Sequence, residues 1–399
     1  MALIPIQDPG RRLPADHFAL FELGFRPFFL LAGLAAVLLV GVWLWLYLGG
    51  ATGPGLYYGA QLWHGHEMLF GFTLAVVAGF LLTAVRNWTQ QPTPRGRALL
   101  GLVVLWLAGR LSPFAAAWLP AWSIALVDLA FLPVLALVLA LPLIRCRQTR
   151  NLVFLLILLA LAVCNLLVHL DLLGLAPAGL GRQAILQAVY IIILLITIMG
   201  GRVIPFFTEK AIPGMKSRSW PLVEYAGLAA LLLFILLKPF LPTAAAMCAL
   251  VAGLAHGLRL YGWYHRGIWS RPLLWVLHLG YAWLVTGLLM EALVWLGVPG
   301  TLALHAMAAG GIGMVTLGMM ARVSLGHTGR SLEIGSAIVW SFRLLALAVL
   351  LRVLLPLTPV AVGYADWVLL AGVSWILAFG LFVWKYWPIL SRPRIDGLR

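Results

Sequence analysis

Two histidines and a carboxylate lie together at the start of a long apolar stretch, in the sequence Trp63-His64-Gly65-His66-Glu67-Met68. The apolar run continues to about Val85, which is long enough to cross a lipid bilayer. Ionisable groups are costly in hydrocarbon and are kept there mainly for a ligand, an ion or a partner. This motif is therefore the first candidate for the protein's chemistry.

The spacing of the two histidines argues against one shared metal site. Residues two apart lie about 200° apart around a helix, so His64 and His66 cannot easily bind one ion together. They fit two different centres, or one ligand and one partner of a neighbouring helix. Glu67 and Met68 are predicted to fall on the His64 side. Imidazole suits haem iron, copper and zinc alike, so residue type does not choose the metal.

Composition places the motif in a membrane protein. The chain has 399 residues, of which 63% are hydrophobic and 10% charged, whereas soluble domains contain about 25% charged residues. The net charge of +15 is assigned to loops of a membrane protein rather than to a nucleic-acid partner. Three widely spaced cysteines form no Cys-x-x-Cys or Cys-x-x-Cys-His motif, which excludes a zinc ribbon and a covalently attached haem.

The hydrophobic pattern predicts an all-α integral membrane protein with twelve transmembrane helices. The predicted spans are 27–48, 61–85, 97–118, 121–144, 151–173, 182–207, 220–237, 242–262, 272–297, 302–324, 335–355 and 362–387. They form one polytopic domain over 1–399, with a cytoplasmic or interfacial segment at 1–26 and a cytoplasmic tail at 388–399. A short interfacial helix is predicted over 17–25, and a tight turn at 119–120 joins spans three and four.

Loop charges predict the orientation. With twelve spans, every other loop is basic, and all of the 27 Lys and Arg residues but five lie on one side. The exceptions are Arg110, Arg182, Lys238, Arg343 and Arg352. The rule that cytoplasmic loops are rich in Lys and Arg then places both termini in the cytoplasm.

This orientation sorts the histidines by depth. His64 and His66 start span two near the outer face, His305 opens span ten at the same level, and His169 closes span five there. A second group, with His256 and His278, lies toward the inner ends of spans eight and nine. A lone buried histidine is often only an interhelical hydrogen-bonding group, but three spans that present histidine at one depth favour a metal or cofactor site.

Span ten is the predicted companion of span two. The pairs Ala306/Gly310 and Ala309/Gly313 have the spacing that lets two helices approach closely. The same small residues would let a flat macrocycle lie against the backbone.

The charged residues inside the spans have two interpretations each. Arg110, Arg202 and Arg343 are either paired structural cations or ligands of anionic groups such as haem propionates. Asp128 and Glu291 are either proton relays or members of buried pairs.

Several stretches resemble one family. They are FELGFRPFFLLAG (21–33), WHGHEMLFGF with AGFLLTAVRNWT (63–89), GGRVIPFFT (200–208), LHLGYAWL (277–284) and MVTLGMMARVSLGHTGR (314–330). Together they resemble the NnrS family of polytopic bacterial membrane proteins, associated with the response to nitric oxide. The resemblance implies a multi-pass protein of the cytoplasmic (inner) membrane with haem and copper. Its characteristic histidines correspond to His64, His66, His278, His305 and His327. One departure is Gln90, where the family pattern leads us to expect glycine.

These observations give a first hypothesis, a haem and copper protein that binds or processes nitric oxide and so protects against nitrosative stress. Non-covalent haem b would be held by His66 and His305, with His278, Arg110 and Arg343 as further cofactor-binding candidates. Copper would use His64 and neighbouring groups. A turning-over reductase would need electrons from quinol or a partner, since the chain carries no c-type haem motif, and a stoichiometric binder or sensor fits equally well.

The alternative hypothesis is a secondary transporter, or a factor that delivers metal or haem. Twelve spans, glycine- and proline-interrupted helices and intramembrane charges are compatible with transport. Polar groups that gather toward the two faces, without a visible repeat, are less typical of it.

Overall fold

The computed structural model describes residues 17–49, 57–359 and 362–396, which form helices and short connections. Twelve apolar helices in these ranges are named α1 (Phe25–Gly49), α2 (Ala60–Thr89), α3 (Arg97–Ala115), α4 (Ala121–Arg145), α5 (Thr149–Leu172), α6 (Leu180–Ala211), α7 (Pro221–Leu237), α8 (Pro242–Trp263), α9 (Pro272–Ala292), α10 (Gly300–His327), α11 (Ser336–Leu357) and α12 (Tyr364–Ser391). Eleven of these described helices are long and apolar enough to cross a membrane, and α7 has only 17 residues. The all-helical, multi-pass fold is confirmed, and the count of twelve spans stays a prediction.

The predicted interfacial helix over 17–25 is wrong. Residues 20–24 form turns, and helix α1 begins at Phe25. Long-range hydrogen bonds hold this segment instead, because the Ala19 amide donates to the Ser391 carbonyl and the Gly96 amide donates to the Phe21 carbonyl, both at 2.8 Å. The Phe21 carbonyl, which a local helix would have bonded to residue 25, is thus bound to a distant segment.

Two helices change their winding directly after a histidine. In α2 an α-helical turn, Ala60–His66, is followed by π-helix over Glu67–Thr73, and in α10 the same change follows His305, with π-helix over Ala306–Gly313. A π-turn holds more residues than an α-turn, so it shifts the faces on which later side chains lie. Such segments are frequent at functional sites.

The described helices separate into two compact units. Unit 1 takes its residues from 1–185, 320–333 and 379–399. Within it α1 packs along α2, and α4 packs against both α3 and α5, so the predicted hairpin of spans three and four is confirmed. Gly79 lets α1 approach α2 closely, because a side chain there would meet Phe28 and Phe29.

Unit 2 takes its residues from 186–319 and 334–378, and in it α7, α8, α9 and α10 pack in sequence order. Gly310 lies directly against Trp283, and Gly313 against Trp375, so the small residues of α10 serve close helix packing. The two indoles therefore occupy the space beside these glycines. The prediction of one polytopic domain stays a prediction.

Glu291 is a member of a buried ion pair and is not an isolated acid. Its carboxylate, on α9 of unit 2, bonds to the ammonium group of Lys238 and is only 5% exposed. Pairing removes most of the cost of keeping either charge away from water. We therefore assign Glu291 a structural role in unit 2.

Candidate metal centre

His66, Asp128 and His169 form a buried cluster where three helices of unit 1 meet. They come from α2, α4 and α5, and none is more than 3% exposed. One nitrogen or oxygen atom of each lies within 4.8 Å of the other two. The Oδ2 atom of Asp128 is 3.3 Å from His66 Nε2 and 3.0 Å from His169 Nε2.

These separations fit a metal ion. Nitrogen and oxygen ligands at about 2.0–2.2 Å from a tetrahedral ion lie roughly 3.3–3.5 Å from each other. Two imidazoles and a carboxylate suit copper, zinc or iron. Small side-chain movements would therefore convert the observed contacts into a coordination sphere.

Helix α5 places two polar groups on the face that meets α4. Asn165 and His169 are four residues apart, so their side chains lie one above the other. The Asn165 amide Nδ2 donates to Asp128 Oδ2 at 2.7 Å, and its Oδ1 lies 2.9 Å from His66 Nε2. Asn165 thus fixes the orientation of the groups that would bind an ion.

Arg110 neutralises part of the charge around the cluster. Its guanidinium, from α3, donates to Glu67 Oε1 at 2.8 Å and to Asp128 Oδ1. The Oε1 atom of Glu67 also lies 3.0 Å from His66 Nδ1, so this carboxylate orients the imidazole. One cation against two buried carboxylates leaves a net negative charge, which a bound metal cation would offset.

Two tyrosines close the cluster at the start of α2. The Tyr58 ring stacks on His66 with centroids 4.5 Å apart, and its hydroxyl lies 3.2 Å from His66 Nε2. The Tyr57 hydroxyl lies 3.1 Å from His169 Nδ1. Burial raises the pKa of Tyr57 to about 12 and that of Tyr58 well above its usual value. Both hydroxyls therefore stay protonated at neutral pH and can donate or accept a hydrogen bond as a histidine changes tautomer.

The two histidines of the opening motif turn to different helices, as the spacing predicts. His64 stacks on Trp43 of α1 with ring centroids 4.4 Å apart, whereas His66 faces α4 and α5. The expectation that Glu67 lies on the His64 side is wrong, because its carboxylate bonds to His66. The carboxylate reaches the imidazole of the residue directly before it, while the Glu67 amide still donates to the Trp63 carbonyl as in an α-helix.

The structure places the remaining predicted histidines elsewhere. His327, in unit 1, packs its ring beside Phe25, with centroids 5.7 Å apart. His305, in unit 2, donates from Nδ1 to the Thr301 carbonyl at 2.6 Å. His278, also in unit 2, has Nδ1 3.0 Å from the Leu274 carbonyl. Their roles as metal or haem ligands stay predictions, as does the pairing of His66 with His305.

The predicted arginine sites have different outcomes. Arg110 pairs with the carboxylates of Glu67 and Asp128, so it is a paired structural cation. Arg343 lies on the surface of unit 2, with its guanidinium 5.0 Å from the centroid of the Trp340 ring. Its predicted contact with a cofactor stays a prediction.

The inner histidine His256 belongs to a second buried polar cluster, in unit 2. Arg259 donates to His256 Nδ1 at 2.9 Å and to the Tyr281 hydroxyl at 2.8 Å, and it pairs with Glu224 at 2.8 Å. A hydrogen bond from arginine requires the lone pair of Nδ1, so the other nitrogen of His256 carries the proton. The protonated Nε2 has no lone pair for a metal, and it makes no hydrogen bond to the described residues.

The surroundings of His66 fit an ion and not a haem. Three oxygen atoms, from Tyr58, Asn165 and Asp128, lie within 3.3 Å of its Nε2, and the residue is fully buried. The cleft beside the cluster, lined in part by Phe70, Arg110 and Asp128, leaves no enclosed space in which a macrocycle could lie.

Sequence reasoning missed part of the cluster. The sequence pattern gives Asp128 no partner, does not select His169 as a ligand, and carries no signal for Asn165 or Tyr58. Depth was the available signal, since Asp128 lies two turns into α4 and His169 one turn before the end of α5. Both positions fall near the level of His66 in the predicted orientation.

Fold and cluster together define a polytopic helical membrane protein with a buried histidine–aspartate candidate metal site. A model of the family described as NnrS protein matches residues 19–394. The chain therefore belongs to the NnrS family, and this membership suggests a membrane protein of the nitric oxide response. A search among curated proteins gives no match.

Proposed function

We propose that this protein is a metalloprotein of the bacterial inner membrane that binds a transition metal at His66, Asp128 and His169 and handles nitric oxide there. Copper is the metal that the family resemblance implies, and the donor atoms suit it. The proposal keeps twelve spans with both termini in the cytoplasm. It makes nitric oxide binding the protective step.

The observation that carries the proposal is the convergence of three ligand-type atoms from three helices at one buried point. Burying two carboxylates, two imidazoles and a guanidinium in one place is costly in a membrane, and such groups are retained there for function. A purely structural crossing of α2, α4 and α5 would be served as well by apolar packing.

The chain's own residues would prepare the site. Glu67 accepts from Nδ1 of His66 and so leaves Nε2 as the ligand nitrogen, and Tyr57 can do the same for His169. Arg110 holds Oδ1 of Asp128 and leaves Oδ2 for the ion. A bound metal with an open position would supply the binding site for nitric oxide. Haem, which the resemblance also implies, does not fit at His66, and no step is assigned to it.

The test is metal content and optical spectra of the purified protein before and after addition of nitric oxide. Removing a ligand in His66→Ala or His169→Ala should lower copper affinity by more than the roughly 10- to 100-fold typical of residues behind the ligands. The matched control is His256→Ala, which removes an equally buried imidazole from unit 2 and should leave the metal in place.

Two results would refute the proposal. One is copper retained at wild-type affinity in both His66→Ala and His169→Ala. The other is equal loss in His256→Ala, because it would show that the substitutions act through folding rather than through ligation.

A further inference from the structure

Four buried polar atoms on α2 and α3 make no hydrogen bond to any of the residues that the structure describes. They are Trp63 Nε1, Glu67 Oε2, Arg110 Nε and Ser112 Oγ. Trp63 is 0% exposed and Glu67 1%, so bulk water does not reach these two side chains. Leaving such a group without a hydrogen bond is unfavourable, and buried polar groups of this kind are usually bound to ordered water.

The four atoms follow one another along two adjacent helices. Trp63 and Glu67 lie one turn apart on α2. On α3, Arg110 bonds to Glu67 at 2.8 Å, and Phe114 contacts the Trp63 ring with centroids 6.2 Å apart. Ser112 lies between these two contacts in the sequence. The unpaired atoms therefore run from the start of α2 to the carboxylate that orients His66.

We propose that a file of ordered water molecules connects the start of α2 with Glu67 through these four groups. Trp63, Ser112 and Arg110 offer hydrogen-bond donors, and Glu67 Oε2 offers an acceptor, so water can accept at one end and donate at the other. Gly71 keeps the inner end open, because a Cβ there would lie 3.1 Å from Glu67 Oε2. The file gives water and protons a route to the cluster.

The guanidinium of Arg110 pairs with Glu67 along the route, so the two charges largely cancel there. That the route serves a metal centre rests on the proposed function. The file itself does not, because none of its four groups is among the proposed metal ligands.

The test compares hydrogen exchange at two buried indoles of metal-free, full-length protein in lipid nanodiscs. Indole-¹⁵N-labelled tryptophan gives one signal per indole N–H, and Trp63→Phe and Trp106→Phe assign the two signals. Trp106 is the matched control, because it lies on α3, is 4% exposed and donates to the Gly71 carbonyl at 3.3 Å.

We expect the Trp63 indole proton to exchange with D₂O at least about 100-fold faster than that of Trp106, since the bonded indole exchanges only through local opening. Ser112→Val, which removes a hydroxyl and adds bulk, should slow exchange at Trp63 and leave Trp106 unchanged. Equal rates at the two indoles, or no slowing in Ser112→Val, would overturn the route. Neither readout depends on metal, so failure of the route and failure of the metal centre are distinguishable.

Discussion

Replacing Arg110 by methionine tests whether the cluster is a preorganised, charge-compensated site. In the structure one guanidinium serves two carboxylates, Glu67 at 1% exposure and Asp128 at 3%. Arg110→Met keeps the apolar length of the side chain and removes the charge, which leaves two buried carboxylates without a cation. Removing one partner of a buried ion pair typically costs about 3–5 kcal/mol.

We therefore expect the free energy of unfolding of metal-free Arg110→Met to fall by about 3 kcal/mol or more, which is at least about 100-fold in the equilibrium constant. Arg110→Lys keeps the charge but reaches only one carboxylate, so it should lose one charged hydrogen bond, worth about 1.5–3 kcal/mol. Unfolding in mixed detergent micelles measures both values. The matched control is Arg343→Met, which removes a membrane-span arginine from an exposed position and should cost less than about 1 kcal/mol.

Two further measurements test the same charge compensation. Saturating metal should stabilise Arg110→Met more than the wild type, because the ion then replaces the missing positive charge. Adding Glu67→Gln to Arg110→Met should recover part of the lost stability, because it removes one unpaired carboxylate. A charge-compensated site is refuted if Arg110→Met lowers the free energy of unfolding no more than Arg343→Met does. It is also refuted if Glu67→Gln recovers none of the stability lost in Arg110→Met.

Three other outcomes are expected. Gln90 has the left-handed conformation (φ 56°), so Gln90→Gly should stabilise the protein by about 0.5–1 kcal/mol in thermal unfolding, whereas Gln91→Gly should give no gain. A Cβ at Gly310 would lie 2.5 Å from Trp283, so Gly310→Val should cost about 1–3 kcal/mol by overpacking, and Gly41→Val, which meets nothing within 4 Å, should be neutral. Burial raises the pKa of Tyr57 to about 12, so its tyrosinate absorbance, taken as wild type minus Tyr57→Phe, should appear near pH 12 rather than 10. Because the unfolded chain releases that proton first, the contribution of Tyr57 to stability is constant below pH 10 and declines above it, and a midpoint near 10 would contradict the burial of this ring.

Gln90 shows what the family resemblance adds to the sequence and what the structure explains. The family pattern leads to an expected glycine at this position, and the structure gives the reason, because the residue ends α2 with a positive φ and its amide donates to the Arg86 carbonyl. A helix end of this kind depends on a few neighbouring residues. The expected glycine comes from the family resemblance, and the structure adds that this position has a positive φ.

The sequence by itself determined the membrane class, the approximate helices and the family. Each follows from local properties, since a run of about 20 apolar residues crosses a bilayer whatever it packs against. It also determined that His64 and His66 turn to different neighbours, because that depends only on helix geometry.

The tertiary structure alone decided which side chains meet. Asp128 and His169 join His66 across 62 and 103 positions of sequence, and which faces of three helices touch is settled by packing rather than by hydropathy. The Glu67 carboxylate bonds to His66 and to Arg110 of α3, and long-range backbone bonds replaced the helix expected before α1. These outcomes depend on contacts between distant segments, which no local pattern encodes.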